Sequence, residues 1–493
     1  MATKTAKQKT AAPSQATSFS GPDLCKLTAT EVVALLRKGE IAASEALEAA
    51  LTRIAQVEPA VNAMPTICAE RARASLKDLG KRKRANGEHA AWLAGLPIGI
   101  KDLTPVKGVR CTFGTKGYAD KIAAESDPLV DMLEARGGTI VGMTNTPEMG
   151  TGANTFNDVF GRTRNPWDTR KNAGGSSGGA AVSLATGEVW LSHGSDFAGS
   201  LRTPAAYCGI VGLRPSPGRA GGAPGVIAFH TDGVMGPMAR TVADVALFLD
   251  AMSGFDPRMP ITLEAPAEPF QQAVRKAKAK VRIAYAPTLN GFAELEPEID
   301  TVLRNALAQV ERAGGSVEEA CPDLPDLLPT FITLRGMAWA SLPGAQPPEI
   351  QRHYKKTLRE NIALGYKLKA EQIYEAFQKR SVLYFNMHTF LATHDVLACP
   401  VVGLEPLAAE EEYPRVVNGK AMTTYIDWLR YSFLATTTGL PAISLPVGFT
   451  KSGMPVGLQM IGPPRGEAKL LAVARAVETA VKFPTTPIDP RTP

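Results

Sequence analysis

Hydrophobic and polar positions along this chain alternate between a helical period and short buried runs. Thr28-Ala-Thr-Glu31 reads as a capping box, in which side chains satisfy the first free N–H groups of a helix that ends near Gly39. Leu47, Ala50, Leu51 and Ile54 recur at helical spacing, so two helices precede the core. Leu96 to Ile100 and Thr139 to Met143 read as buried strands. Between them lies a helix from Asp127 to Arg136, stopped by Gly137-Gly138. A small-residue helix over Gly178 to Thr186 leads into a strand-like run, Glu188 to Ser192. Thr241-Val-Ala-Asp244 caps another helix, Leu263 to Phe270 is a Pro-rich linker or surface crossover, and Val281 to Tyr285 is a strand. Ile299, Val302, Leu303, Ala306 and Val310 mark an amphipathic helix ended by Gly314-Gly315. Leu328 to Phe390 is mostly helical, and strands return at Val396–Val402, Ala442–Val447 and Val456–Ile461. This alternation predicts an α/β fold with both faces of a sheet covered by helices. No internal repeat is visible.

Composition adds mainly exclusions. A content of 44% hydrophobic and 21% charged residues is that of an ordinary globular chain. The net charge of +6 is small for 493 residues. The basic run Lys81-Arg82-Lys83-Arg84 has no interleaved aromatic residues and reads as a solvated helix end or loop rather than a nucleic-acid patch. Cys25, Cys68, Cys111, Cys208, Cys321 and Cys399 lie far apart with no CxxC pair, against a zinc site or a disulfide framework. No apolar run approaches the roughly 18 residues that span a bilayer. The Lys-, Ala-, Thr- and Ser-rich residues 1–20 lack an apolar segment of signal-peptide length, and a disordered tail is expected there. The expectation is a cytoplasmic protein without nucleic-acid or membrane partners, with a homodimer left open.

The candidate chemistry is concentrated between Asn172 and Arg214. Ser176, in GGSSGG, and Ser200, in AGSLR, are both flanked by glycine and stand 24 residues apart. Serine is a poor nucleophile until an adjacent base activates it. Among histidines only His193 is near, so Lys101, directly after the apolar LPIGI run, is the candidate base. The Gly/Ser string has other readings. It could be a generic loop. A phosphate loop is excluded because no Gly-Lys pair is followed by Ser or Thr. It also fits GxSxG, which would make Ser176 or Ser177 the nucleophile of an α/β-hydrolase-like esterase, with Asp232 or Asp256 and His388 or His394 as partners. That reading leaves Ser200 and Lys101 unused.

The whole pattern resembles the amidase signature family. GLPIGIKDL resembles the family's lysine-bearing strand, and GMTNTPEMG with FGRTRNPWD resembles the approach to its glycine-serine loop. GPMARTVADVALFLDAMSG and TGLPAISLPVGFTKSGMPVGLQMIGP resemble later family segments. The likeness runs from about Leu24 to Val481, and Ala198 departs from it where glycine is usual. It implies one large α/β/α domain over residues 21–488, with a mixed central sheet and a variable, largely helical section at 257–414 on the substrate side. The implied activity is hydrolysis of linear amide C–N bonds, in small amides and also anilides, carbamates or esters, with no cofactor and no metal. VNGKAMTTYIDWLRYSF resembles free-standing bacterial amidases, and the alternative is the glutaminase-type subunit of an aminoacyl-tRNA amidotransferase.

The resemblance also implies residue roles. Ser200 attacks, Ser176 on a cis peptide shuttles the proton, and Lys101 is the base. To work near neutrality, a buried lysine must lose about 3 pKa units, or about 4 kcal/mol. Phe197, Ala198 and Gly199 would offer backbone N–H groups to the oxyanion. Ser177, Asp196 and Arg202 would support the loop, the last two as an ion pair, and Gly150 would form part of the pocket wall. Met337, Trp339, Tyr366, Tyr384, Tyr425, Trp428 and Phe433 are candidate apolar walls.

Overall fold

The computed structural model describes residues 18–87, 89–222 and 227–492. Eleven strands form one mixed sheet: β1 (Thr66–Ile67), β2 (Pro97–Lys101), β3 (Thr139–Thr144), β4 (Leu191–Asp196), β5 (Val211–Arg214), β6 (Val234–Ala239), β7 (Arg282–Tyr285), β8 (Ser316–Glu319), β9 (Val396–Pro400), β10 (Ala442–Phe449) and β11 (Pro455–Ile461). Their spatial order is β1-β3-β2-β4-β6-β5-β10-β11-β9-β7-β8. β2 is parallel to both β3 and β4, and β7 is parallel to β8 and β9. The other neighbours are antiparallel. The expected mixed α/β sheet is therefore present.

Strand pleating sorts the side chains onto two faces. Ile98, Ile100, Ile140 and Leu191 join a core under the helices Val242–Met252 and Glu467–Val481. Val141 and Met238 point the other way, into a core with Ala180, Ala181, Val182, Leu184 and Ala205. Lys101 is on that second face, because it is one residue out of phase with Ile98 and Ile100. The helix Gly178–Ala185 can lie close to the sheet because it opens with two glycines. A Cβ on Gly179 would fall 2.3 Å from the Asn145 backbone nitrogen and 2.4 Å from the Ala63 carbonyl.

Several sequence expectations hold to within a residue or two. Thr28 and Glu31 make the capping box of the helix Ala29–Lys38, and Gly39 closes it at φ 74°. The strand expected over Glu188–Ser192 instead begins at Leu191 and runs to Asp196. Glu188 and Val189 both donate backbone N–H bonds to Ser183, at 2.8 and 3.4 Å, so they serve the turn that ends the preceding helix. β5 and β6, in the middle of the sheet, had no sequence signal. The basic run lies on the helix Leu79–Asn86, where Lys81, Lys83 and Arg84 are exposed. Residues 1–17 of the expected tail lie outside the described residues. The last three are held in place: Ser18 accepts the Asp489 N–H at 2.9 Å, Ser20 donates its N–H to Asp489 Oδ1 at 3.2 Å, and the Arg53 guanidinium lies 4.4 Å from the Phe19 ring centre. Among the described residues no helix is long and apolar enough to cross a membrane.

Candidate active site

β2 and β4 are parallel neighbours, so their carboxyl ends lie together at one edge of the sheet. Open α/β sheets commonly bind ligands at such ends. Lys101 closes β2 there, while Ser195 and Asp196 close β4. The chain between Gly174 and Gly178 crosses above this edge and delivers Ser176 and Ser177 to the amino end of the helix Gly178–Ala185. The Gly175–Ser176 peptide is cis. The Ser177 N–H bonds the Ser200 carbonyl at 3.2 Å, which sets the two serine segments side by side.

Lys101 is wholly buried, and its Nζ lies 2.7 Å from Ser176 Oγ, 2.9 Å from Ser177 Oγ and 3.1 Å from Ser195 Oγ. A neutral amine has two N–H donors and one lone pair. Ser177 donates its own hydroxyl to the Ser195 carbonyl at 3.3 Å, so it accepts from Lys101. Charged, the amine donates to all three hydroxyls; neutral, with Ser177 and Ser195 taking its two N–H groups, it keeps its lone pair for the Ser176 hydroxyl. Burial pushes Lys101 from its ordinary 10.5 down to about 7, against the opposing pull of Asp196.

Two neighbouring ionisable groups do not compete for this proton. Asp102 turns away: its carboxylate accepts the Thr112 N–H at 2.9 Å, and burial raises it to about 6. His193 accepts the Lys101 backbone N–H at 3.4 Å through Nδ1 and is lowered to about 3, first by burial and then by Lys101.

Beneath Ser200, Asp196 and Arg202 form the expected ion pair, with contacts of 2.8 and 3.0 Å. Arg214 adds contacts of 2.7 Å to the Asp196 carbonyl and 3.2 Å to its carboxylate. All three side chains are fully buried. Burial alone would raise the Asp196 carboxyl, but Arg202 and Arg214 outweigh it and hold the group well below the usual carboxylate range. The same carboxylate takes the Gly199 and Leu201 N–H groups, each at 3.1 Å. The Gly199 N–H, expected among the oxyanion donors, is thus turned inward to Asp196. Phe197 and Ala198 N–H have no protein acceptor among the described residues. Gly199 has φ 92°, and a Cβ there would meet Thr203 Oγ1 at 2.9 Å. Removing one partner of such a buried pair typically costs about 3–5 kcal/mol. Arg202→Met is accordingly expected to lower the urea midpoint by a comparable loss of stability, and an unchanged midpoint would remove the pair from the loop's support.

Ser176, Ser200 and Gly150 all line a cavity of about 390 Å³, with Phe197, His230, Met235, Met259, Trp339 and Leu342 among its walls. A smaller lobe of about 30 Å³ shares Gly150, Phe197, Ser200 and Trp339 and continues to Ala198, Arg335 and Tyr425. Gly150 is close-set: a Cβ there would be 2.9 Å from Leu103 Cδ1 and 3.7 Å from Ser176 Oγ. Of the seven expected apolar walls, Trp339 and Tyr425 reach the cavities. Phe433 is instead core, stacked on Phe331 with ring centres 3.7 Å apart, and Tyr366 is 65% exposed. Met337, Tyr384 and Trp428 do not line either lobe. His388 and His394, the histidines of the esterase alternative, are also absent from both linings, and His394 pairs with Glu318.

Ser195, Arg214, His230 and Arg335 carried no sequence signal. His230 stacks over Phe197 at 5.7 Å and approaches Asp232 to 2.9 Å without good hydrogen-bond alignment.

Comparison with known proteins gives this geometry a context. The family model described as Amidase matches residues 45–471. An acylamidase of Rhodococcus erythropolis is 34% identical over 463 residues, covering 92% of this chain and 95% of the relative. A glutamyl-tRNA(Gln) amidotransferase subunit of Moorella thermoacetica is 32% identical, covering 94% of this chain and 98% of the relative. The crystal structure of a bacterial aryl acylamidase of the amidase signature family superposes with a TM-score of 0.84 at 27% identity, covering 92% of this chain and 96% of that one.

Proposed function

We propose that this chain, which belongs to the amidase signature family of amide C–N hydrolases, cleaves small, largely apolar amides through an acyl-enzyme on Ser200. The observation that carries the reading is the 2.7 Å contact between the buried Lys101 amine and Ser176 Oγ, with Ser176 and Ser200 on one cavity wall. Neutral Lys101 takes the Ser176 proton as Ser176 takes that of Ser200, and Ser200 Oγ attacks the carbonyl carbon. The Phe197 and Ala198 N–H groups stabilise the oxyanion, in a site where each fixed donor is worth on the order of 10²–10³ in rate. Ser176 then hands a proton to the leaving nitrogen. Water, deprotonated by the same relay, opens the Ser200 ester and frees the acid. Ser177, Asp196 and Arg202 hold these groups in place, and Gly150 keeps the wall beside Ser176 thin. Anilides, carbamates and esters pass through the same tetrahedral oxyanion.

The apolar walls of the larger lobe favour an aryl or alkyl group there, in keeping with the names of the acylamidase relatives. The similarity to the amidotransferase component supports a second reading, a glutaminase that works within a complex. Incubating the isolated chain with p-nitroacetanilide and, separately, with glutamine distinguishes them. The anilide is expected to release its coloured amine while glutamine releases ammonia no faster than background. Glutamine hydrolysis without anilide cleavage would establish the second reading instead.

A further inference from the structure

The helix Leu327–Ala340 carries a cation that the described residues leave without a counter-charge. Arg335 is only 5% exposed, and among the described residues no carboxylate pairs with it. Its two terminal nitrogens donate to neutral oxygens, Asn361 Oδ1 and the Tyr425 hydroxyl. Its Nε is buried and has no hydrogen-bond partner among the described residues. The Trp339 and Tyr425 rings lie 5.3 and 5.4 Å from the guanidinium carbon. Aromatic faces and neutral acceptors soften the cost of burying a cation, but an uncompensated buried charge remains expensive. The contrast within this molecule is direct: Arg202 and Arg214, fully buried, share the carboxylate of Asp196.

Arg335 also lines the small lobe that begins at Ser200, on the branch away from the large apolar cavity. One lobe of about 390 Å³ and one of about 30 Å³ therefore meet at the attacking serine. A water needs about 10–15 Å³ of such space, so the small lobe admits only two or three atoms beyond the carbonyl. A long or branched chain does not fit there.

We propose that the small lobe is an acyl subsite in which Arg335 binds the free carboxylate of a short half-amide, with the amine portion in the apolar lobe. The substrate class is the monoamide of the two-carbon dicarboxylic acid with an aryl or alkyl amine, whose carboxylate adds three atoms beyond the carbonyl. A planar guanidinium with an unused N–H matches a carboxylate better than any neutral acyl end would. The assignment rests on Ser200 being the nucleophile, but anion binding itself does not require turnover.

Two measurements test it. The first compares kcat/KM for oxanilate with that for acetanilide, in the wild type and in Arg335→Met and Arg335→Lys. The wild type is expected to prefer the carboxylated anilide, and the ratio is expected to fall on the order of 100-fold in Arg335→Met and less in Arg335→Lys. A purely structural arginine would lower both rates together and leave the ratio unchanged, which would overturn the proposal. The second follows tryptophan fluorescence of Ser200→Ala during titration with oxamate, using acetamide as the neutral control. Saturable anion binding that Arg335→Met removes supports the subsite even if no anilide is cleaved, an outcome that would sink only the catalytic reading. Anion binding absent in Ser200→Ala, or undiminished by Arg335→Met, overturns the proposal whatever the turnover.

Discussion

Replacing Ser200 by alanine is expected to abolish acyl-enzyme formation and to lower kcat on the order of 10⁶-fold, as when the nucleophile of a serine hydrolase is removed. The change deletes one hydroxyl from a cavity wall and leaves the Asp196–Arg202–Arg214 cluster beneath it untouched. Stability should therefore hold while turnover is lost. Treating the wild type with a serine-directed fluorophosphonate and mapping the adduct by mass spectrometry gives the positive counterpart: the label should sit on Ser200. A label on Ser176 or Ser177, with Ser200 unmodified, would contradict the assignment and restore the esterase alternative. The two serines differ in a way that makes this test sharp. Ser176 is already engaged by Lys101 at 2.7 Å, whereas among the described residues Ser200 Oγ makes no hydrogen bond within the protein. That difference suits the proposed division of labour, in which the first hydroxyl relays a proton and the second attacks.

The parts of this site readable from sequence are those whose neighbours are close along the chain. Gly178 and Gly179 announce a close approach, and the apolar run before Lys101 announces burial, because each carries its reason within a few residues. Asp196 and Arg202 are six residues apart, so a pair across one turn could be anticipated. Arg214 reaches the same carboxylate from β5, and Ser195 reaches Lys101 from β4, and neither convergence follows from spacing alone. The apolar walls show the limit more plainly. Periodicity identifies which face of a helix is buried but not what it faces, so Phe433, wholly buried against Phe331, looks the same in sequence as Trp339 at the cavity.

β5 and β6 escaped for a related reason. VGLR and VMGPMA lack the β-branched alternation of a half-buried strand. Their glycines are there for contact: a Cβ on Gly212 would lie 2.3 Å from the Leu201 carbonyl, and one on Gly236 would lie 2.3 Å from that of Leu213. Arg335 belongs to the section where the family likeness is weakest. Nothing in its own helix marks it as unpaired, since that property depends on which residues fail to arrive.

The other large effect concerns Lys101. In the proposed relay the active form of this base is the neutral amine, so kcat/KM should rise with pH through about 7 and level off above it. One unit below that pKa, roughly a tenth of the plateau rate should remain. Lys101→Met should lose on the order of 10²–10⁴ in rate for both amides and esters, because Ser200 is then unactivated. Ser176→Ala should hurt anilides more than activated esters, since only a poor leaving amine needs the returned proton. His388→Ala and His394→Ala should leave the profile unchanged.

The same burial bears on stability. The unfolded chain holds this lysine near 10.5 and the folded one near 7, so between those values the unfolded state binds the extra proton. Stability should therefore rise with pH across that window, and the cost of the buried amine is fully present below about 7. By that reasoning Lys101→Met should be more stable than the wild type at pH 6 while nearly inactive, as expected where a fold gives up stability to hold a catalytic group. Urea melts and pH–rate profiles of the two proteins provide the check. A Lys101→Met enzyme with full activity, or a wild-type profile flat between pH 5 and 9, would show that the proton leaves by some route other than this lysine.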